Sequence, residues 1–135
     1  TIVRNNSRLV AQGYTQVEGV DYDETFAPDA RLESIRILLG VACFLRFKLY
    51  QMDVKSAFLN GYLKEEAYVE QPKGFEDPKC PNHVYKLDKA LYGLKQVPRA
   101  WYDKFTTFLL NNDFQRGSVD KTLFVKHTKS HILIA

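Results

Sequence analysis

Cysteine is scarce in this chain: Cys43 and Cys80 are the only two. Two thiols cannot build the disulfide framework that stabilises small secreted domains. Cys43 lies in an apolar helical run, where a buried small hydrophobe is expected. The chain is therefore expected to be intracellular and reduced. Long apolar runs are missing as well. The longest, Ile35 to Phe47, is interrupted by Arg36, Gly40 and Arg46. A bilayer needs roughly 20 apolar residues in a row, so no membrane partner is expected. The start, Thr1-Ile2-Val3-Arg4, has neither a basic lead nor an apolar stretch behind it, so no signal peptide is read there. An initiator Met is lacking, and the last five residues, His131 to Ala135, are apolar and strand-like. Termini are usually polar and frayed, so both ends are expected to be cuts in a longer chain.

Several chemistries lack their residues. There is no G-x-S-x-G and no Walker A motif, which leaves hydrolase triads and P-loop chemistry unsupported. His127 and His131 have no Ser or Cys elbow nearby. Cys80-Pro81-Asn82-His83 has a metal-like spacing, but a structural zinc site takes four ligands and no second pair accompanies it. Internal repeats and low-complexity segments are absent.

What is present fits a folded domain. The 135 residues are room for one domain, and 45% hydrophobic with 26% charged is an ordinary globular balance. Charge is unevenly spread. Residues 1–78 carry 9 Lys and Arg against 12 Asp and Glu; residues 79–135 carry 10 against 4. A basic half suits a polyanion such as nucleic acid, although a solvated basic surface has the same composition.

Thr1 to Tyr14 alternates weakly about Asn5-Asn6 and suggests two short strands around a turn. Thr15 to Thr25 reads as a polar loop. A helix is expected from Thr25 and Pro28 onward, with Asp29 and Glu33 favouring its N-terminus. Leu32, Ile35, Leu39, Ala42 and Cys43 recur at helical spacing. Ile37, Leu38, Val41 and Leu45 fill other faces, so packing on more than one side is expected. Phe47 to Asp53 reads as a strand, Ser56 to Asn60 as a short turn closed by Gly61, and Ala67 to Gln71 as a strand. Pro72 to His83 reads as an irregular loop and Val84 to Leu87 as a strand. Pro98 begins a helix with the apolar stripe Trp101, Tyr102, Phe105, Phe108 and Leu109, ending near Asn111-Asn112. Thr122 to His127 and His131 to Ala135 flank Thr128-Lys129-Ser130 as a hairpin. Helices with short, partly antiparallel strands define an α+β class.

Two segments carry candidate chemistry. Asp53 ends the strand-like run and precedes Val54-Lys55-Ser56-Ala57-Phe58. A carboxylate there needs a partner, a hydrogen bond or a cation; a turn or helix cap is the plainer role. Leu91 to Tyr102 joins Gly93, Lys95 and Gln96 to a helix start at Pro98 and Arg99. Free N–H groups and cations at a helix start suit a phosphate; a connection with solvated basic residues is the alternative.

Taken together, these segments resemble the copia-type LTR-retrotransposon reverse transcriptases. Arg8-Leu9-Val10-Ala11-Gln12-Gly13-Tyr14-Thr15-Gln16 looks like the family's fingers strand, and Asp21 to Arg36 continues the likeness. Gln51-Met52-Asp53-Val54-Lys55-Ser56-Ala57-Phe58-Leu59-Asn60-Gly61 resembles the first catalytic palm motif, and Tyr68 to Phe75 and Leu91 to Tyr102 match as well. The resemblance runs nearly the whole chain in family order. It implies part of a right-hand polymerase fold, fingers and N-terminal palm over 1–135, with a small mixed sheet packed with helices. It implies RNA-directed DNA polymerisation with RNA template, DNA primer, deoxynucleotide and Mg²⁺ in the intact enzyme. On this pattern Asp53 is the first catalytic aspartate and a metal ligand, with the Val54 carbonyl beside it. Phe58 stands at the steric gate against a ribose 2′-hydroxyl. Arg8 faces the triphosphate; Gly93, Lys95 and Gln96 support the nucleotide; Pro98 and Arg99 touch nucleic acid. A cytoplasmic particle and the nucleus are the implied settings.

Three positions depart from the pattern: Asn6-Ser7 stand for Lys-Ala, Asp29 for an apolar residue, and Val97 for Ala. The family's Tyr-x-Asp-Asp motif, source of the other two catalytic carboxylates, does not occur in these 135 residues. The chain alone is therefore expected to be inactive, short of the remaining palm and thumb. A non-catalytic nucleic-acid-binding remnant or a degenerate element fragment is the alternative.

Overall fold

The computed structural model describes residues 7–135. The chain forms two compact units. The first comprises residues up to Phe26 together with Ser56–Lys104; the second comprises Ala27–Lys55 and Phe105–Ala135.

In the first unit two strands, β1 (Tyr62–Glu70) and β2 (Val84–Lys89), pair antiparallel. The register runs from Ala67↔Leu87 to Glu70↔Val84, and slips between Tyr62↔Lys89 and Ala67. Side chains alternate along β1, with Ala67 buried and Tyr62, Lys64, Glu66 and Tyr68 exposed, as the two-residue strand period requires. The core under this ribbon is made of small residues. Ala67, Ala90, Leu94, Val97 and Ala100 are buried together, with Ala11, Phe58, Leu63, Leu87 and Leu91 packed against them. Val97 and Ala100 come from the first turn of helix α2 (Val97–Asn111), whose N-terminal half belongs to this unit.

The proline-rich connection between β1 and β2 is irregular, as its composition demands, but it is tied down by one side chain. The Gln71 amide donates to the Cys80 and His83 carbonyls, both at 2.8 Å, and accepts from the Asp77 N–H at 2.6 Å. Backbone groups that no ladder can satisfy are satisfied there by a glutamine.

The second unit holds helix α1 (Leu32–Leu45), the C-terminal half of α2, and a three-stranded antiparallel sheet in the order β3 (Gln115–Arg116), β4 (Phe124–His127), β5 (Ile132–Ile134). The anticipated C-terminal hairpin is present, with Val125↔Ile134 and His127↔Ile132 in register. β3 is too short to leave a period in the sequence. Phe124 anchors this sheet: it is 1% exposed and meets Phe105 edge-on at 6.3 Å. α1 ends where Arg46 turns left-handed (φ 55°) and its N–H closes on the Ala42 and Cys43 carbonyls. A left-handed residue of this kind is the common way to satisfy the last carbonyls of a helix.

Five expectations are corrected. α1 begins at Leu32, not near Pro28, because Arg31 is still extended (ψ 139°). Its packing on several sides is not found: Ala42 is the only buried residue of α1, while Ile37 and Phe44 are 67% and 86% exposed. Cys43, on the same helix, is exposed rather than buried. Phe47 to Asp53 is not a strand; among the described residues no neighbour supplies the ladder hydrogen bonds that its alternation would need. Phe108 is exposed, and Thr106 instead lies buried beside Leu109 in the α2 stripe. The proposed N-terminal turn at Asn5-Asn6 lies outside the described residues, and no strand occurs between Ser7 and Tyr14.

Candidate functional site

The sequence-derived site residues divide between the units. Arg8, Phe58, Gly93, Lys95, Gln96, Pro98 and Arg99 belong to the first; Asp53 and Val54 belong to the second.

In the first unit a residue not anticipated from the sequence, Tyr92, brings the others together. The Arg8 guanidinium lies 4.4 Å from the centre of the Tyr92 ring. That ring packs at 55° against Phe58, with centroids 5.6 Å apart. Such contacts are favourable because the ring face is electron-rich. Phe58 is aimed by the turn Ala57–Asn60, which begins at a left-handed Ser56 (φ 55°). The Ser56 carbonyl accepts from the Leu59 N–H and from the Asn60 amide, both at 3.1 Å.

The segment after Tyr92 is locked to the Arg8–Gln16 segment at backbone level. The Ala11 N–H donates to the Tyr92 carbonyl at 2.7 Å. Gly93 has φ +96°, and a Cβ there would fall 2.0 Å from the Ala11 carbonyl oxygen. A Cβ on Gly13 would fall 2.1 Å from the Gly93 oxygen. Two glycines thus allow two chains to pass at main-chain contact.

Gln16, a second residue that sequence reasoning missed, closes the arrangement. Its carbonyl oxygen accepts from the Lys95 N–H at 2.9 Å, and its amide nitrogen donates to the Gln96 side-chain oxygen at 3.1 Å. Gln96 is 2% exposed, and its amide nitrogen has no hydrogen-bond partner among the described residues. Both Gln16 and Tyr92 sit inside motif segments, so motif membership was the available signal; their roles needed the fold. Pro98 is half-buried in the first turn of α2. Arg99 is held by Glu24 at 3.0 Å and Asp103 at 3.5 Å.

In the second unit Asp53 and Val54 are exposed and lie outside helix and strand. Among the described residues, no group of three His, Cys, Asp or Glu side chains is placed to hold a metal ion. One carboxylate and one carbonyl do not fit a two-ion centre, which takes mostly oxygen ligands at each ion. The Cys80–His83 pair has no further ligands by the same finding. No helix among the described residues is long and apolar enough to cross a membrane.

Elsewhere in the second unit, Asp120 organises the loop before β4. Its carboxylate accepts from the Thr122 hydroxyl at 2.6 Å and the Thr122 N–H at 2.9 Å. These bonds, then a bond from Ser34 and the charge of Arg31, hold its pKa below the ordinary aspartate value. Together with Arg31, Ser34 and Thr122 it lines a hollow of about 460 Å³.

Comparison with known proteins agrees with the motif pattern. The family described as reverse transcriptase (RNA-dependent DNA polymerase) matches residues 1–135. The chain is 51% identical over 122 residues to the retrovirus-related Pol polyprotein from transposon RE1 of Arabidopsis thaliana, covering 90% of this chain and 8% of that protein. It is 45% identical over 125 residues to the Pol polyprotein from transposon TNT 1-94 of Nicotiana tabacum, covering 93% of this chain and 9% of that protein. The chain thus spans less than a tenth of the length of these relatives. No solved structure matches it. The likeness to copia-type elements expected from the sequence is borne out, and the chain belongs to the reverse transcriptase (RNA-dependent DNA polymerase) family.

Proposed function

We propose that this chain is the fingers and N-terminal palm portion of a copia-type RNA-directed DNA polymerase, and that it does not polymerise alone. The observation that carries this reading is the Arg8–Tyr92–Phe58 stack, joined to the clamped segment Gly93–Gln96. It gathers a cation, an aromatic wall and a backbone turn in one unit, which is the equipment for a deoxynucleotide. Arg8 meets the triphosphate. Phe58 stands where a ribose 2′-hydroxyl would otherwise fit, so its bulk selects deoxynucleotides. Gly93, Lys95 and Gln96 support the nucleotide, Gln96 by fixing the turn through Gln16. Pro98 and Arg99, at the start of α2, lie toward the template strand, Arg99 exchanging Glu24 for a phosphate.

Asp53 is the first catalytic carboxylate and, with the Val54 carbonyl, one ligand set for Mg²⁺ in the intact enzyme. The other carboxylates come from a Tyr-x-Asp-Asp motif that these 135 residues do not include. RNA template and DNA primer are the partners of the intact enzyme, in a cytoplasmic particle and the nucleus.

Primer extension tests the reading. The purified 135-residue chain with Mg²⁺, template and primer is expected to add no nucleotide. A polyprotein that carries this segment and a Tyr-x-Asp-Asp motif is expected to extend the primer and to lose that activity with Asp53→Asn. In that polyprotein Phe58→Ala is expected to raise ribonucleotide incorporation. Template-dependent addition by the chain alone, or unchanged sugar discrimination in Phe58→Ala, refutes it.

A further inference from the structure

The outward face of the β1–β2 ribbon carries a feature that the polymerase motifs do not use. Tyr62 is 55% exposed and pairs in register with Lys89. The Lys89 ammonium lies 5.4 Å from the Tyr62 ring centre, and the Lys104 ammonium, from α2, lies 5.2 Å from the same centre. All three residues belong to the first unit. Two carboxylates of this unit are already engaged, Asp103 by Lys64 at 2.6 Å and Arg99 at 3.5 Å, and Glu66 by Lys86, while Asp88 precedes Lys89 in the strand. Glu70 lies at the other end of β1, opposite Val84. Among the described residues neither Lys89 nor Lys104 makes an ion pair.

Two uncompensated ammonium groups therefore converge on one exposed ring. An exposed cation–ring contact is weak, and a phosphate, with a full negative charge, draws the ammonium away from it. Once the ammonium groups have moved to phosphates, the ring is open to a base. Stacking on an aromatic side chain beside backbone-tracking cations is how single-stranded nucleic acid is held without sequence preference. A duplex hides its base faces, and an acidic peptide takes the cations but has no use for the ring.

We propose that Tyr62, Lys89 and Lys104 form a docking platform for single-stranded nucleic acid, made of residues other than those of the Arg8–Tyr92–Phe58 cluster. The inference rests on the polymerase reading for its class of partner, and on the Tyr62 geometry for its place.

The test is fluorescence anisotropy of a labelled oligothymidylate, about 12 nucleotides long to match known single-strand site sizes, titrated with the 135-residue chain at low salt. Tyr62→Ala is expected to weaken binding roughly 5- to 100-fold, the usual effect of removing one stacking ring. Tyr62→Phe keeps the ring and is expected to stay within about twofold of the parent. The Lys89→Ala, Lys104→Ala double variant is expected to flatten the plot of log affinity against log salt by about 1.4, the single-strand value for two phosphate contacts. Far-UV circular dichroism checks that each variant is folded.

The platform is overturned if folded Tyr62→Ala binds like the parent, if Tyr62→Phe loses as much as Tyr62→Ala, or if no binding occurs at low salt. Equal, Tyr62-dependent binding of a blunt duplex overturns it, as does oligoglutamate competing as well as oligothymidylate. Failure here is distinguishable from failure of the polymerase reading. If Arg8→Ala and Lys95→Ala weaken binding and Tyr62→Ala does not, the platform falls alone. If Phe58→Ala leaves sugar discrimination unchanged while Tyr62→Ala weakens oligothymidylate binding, the polymerase reading falls alone.

Discussion

Two apolar stretches of this chain behave in opposite ways. Ala90 to Ala100, in the first unit, buries Ala90, Leu94, Val97 and Ala100 with small side chains. Leu32 to Leu45, in the second, is richer in large apolar residues and buries only Ala42. Apolar content therefore does not separate the two; backbone contact does. The first stretch is locked by main-chain approach at Gly13 and Gly93 and by the Gln16 bridge. The second is a helix satisfied by its own hydrogen bonds, with its apolar side chains turned to solvent. A helix needs no neighbour to complete its ladder, whereas the turn at Tyr92–Gln96 takes partners for the Tyr92 carbonyl, the Lys95 N–H and the Gln96 side chain from another segment.

Exchanging glycine for alanine in each region breaks the comparison most sharply. Gly93→Ala puts a side chain at φ +96° and a Cβ 2.0 Å from a backbone oxygen that cannot swing aside. The expected loss is about 3 kcal/mol or more, combining backbone strain with overpacking. Gly40→Ala, inside α1, meets nothing within 4 Å. It is expected to raise stability by about 0.5–1 kcal/mol, since glycine is a poor residue inside a helix. Urea denaturation of both variants measures the pair. Equal effects of the same sign would mean that the main-chain contact at Gly93 does not hold the first unit.

The Gln16 bridge gives the next effect. Gln16→Ala leaves the Lys95 N–H and the buried Gln96 oxygen without the partners they have now. A buried polar group left unpaired costs about 1–3 kcal/mol. The loss is expected to be confined to the first unit, with faster amide exchange at Lys95 and unchanged exchange along β4. Gln16→Glu keeps an acceptor for Lys95 but offers Gln96 an oxygen in place of a donor. It is expected to fall between the parent and Gln16→Ala.

Much of this was legible in the sequence. The α2 start at Val97-Pro98, the loop from Pro72 to His83, the turn ending at Gly61 and the C-terminal hairpin follow from local chemistry, and local chemistry is what sequence patterns report. The copia-type motifs singled out Phe58 and the Gly93–Gln96 turn, which fall in one unit, and Asp53, which falls in the other. The misses involve partners distant in sequence. Tyr92 and Gln16 act across about 80 residues, and no period announces that. The strand expected at Phe47–Asp53 and the buried Cys43 failed for a related reason. Alternation and helical spacing state which face could be buried, not whether a neighbour arrives to bury it.

The smallest effect expected is a local one in the second unit, and it depends on pH. Asp120 accepts two bonds from Thr122 and a further bond from Ser34, beside Arg31, and these depress its folded pKa. A depressed carboxylate stabilises the fold above its ordinary pKa, and that contribution disappears as pH falls through the lower, folded value. The group is only half-buried and its strongest partner, Thr122, lies in the same loop, so the effect belongs to that loop rather than to global stability. Protection of the Thr122 amide, its exchange rate taken relative to the unprotected rate at the same pH, is expected to fall as acid protonates Asp120, while protection at Lys95, whose N–H is held by a neutral glutamine, shows no such step. Asp120→Asn, whose neutral oxygen is a weaker acceptor, is expected to remove the step at Thr122 and leave protection there lower and independent of pH. A step of equal size at both amides would mean that acid loosens the two units together, and the separation between a charge-held loop and an amide-held turn would not stand.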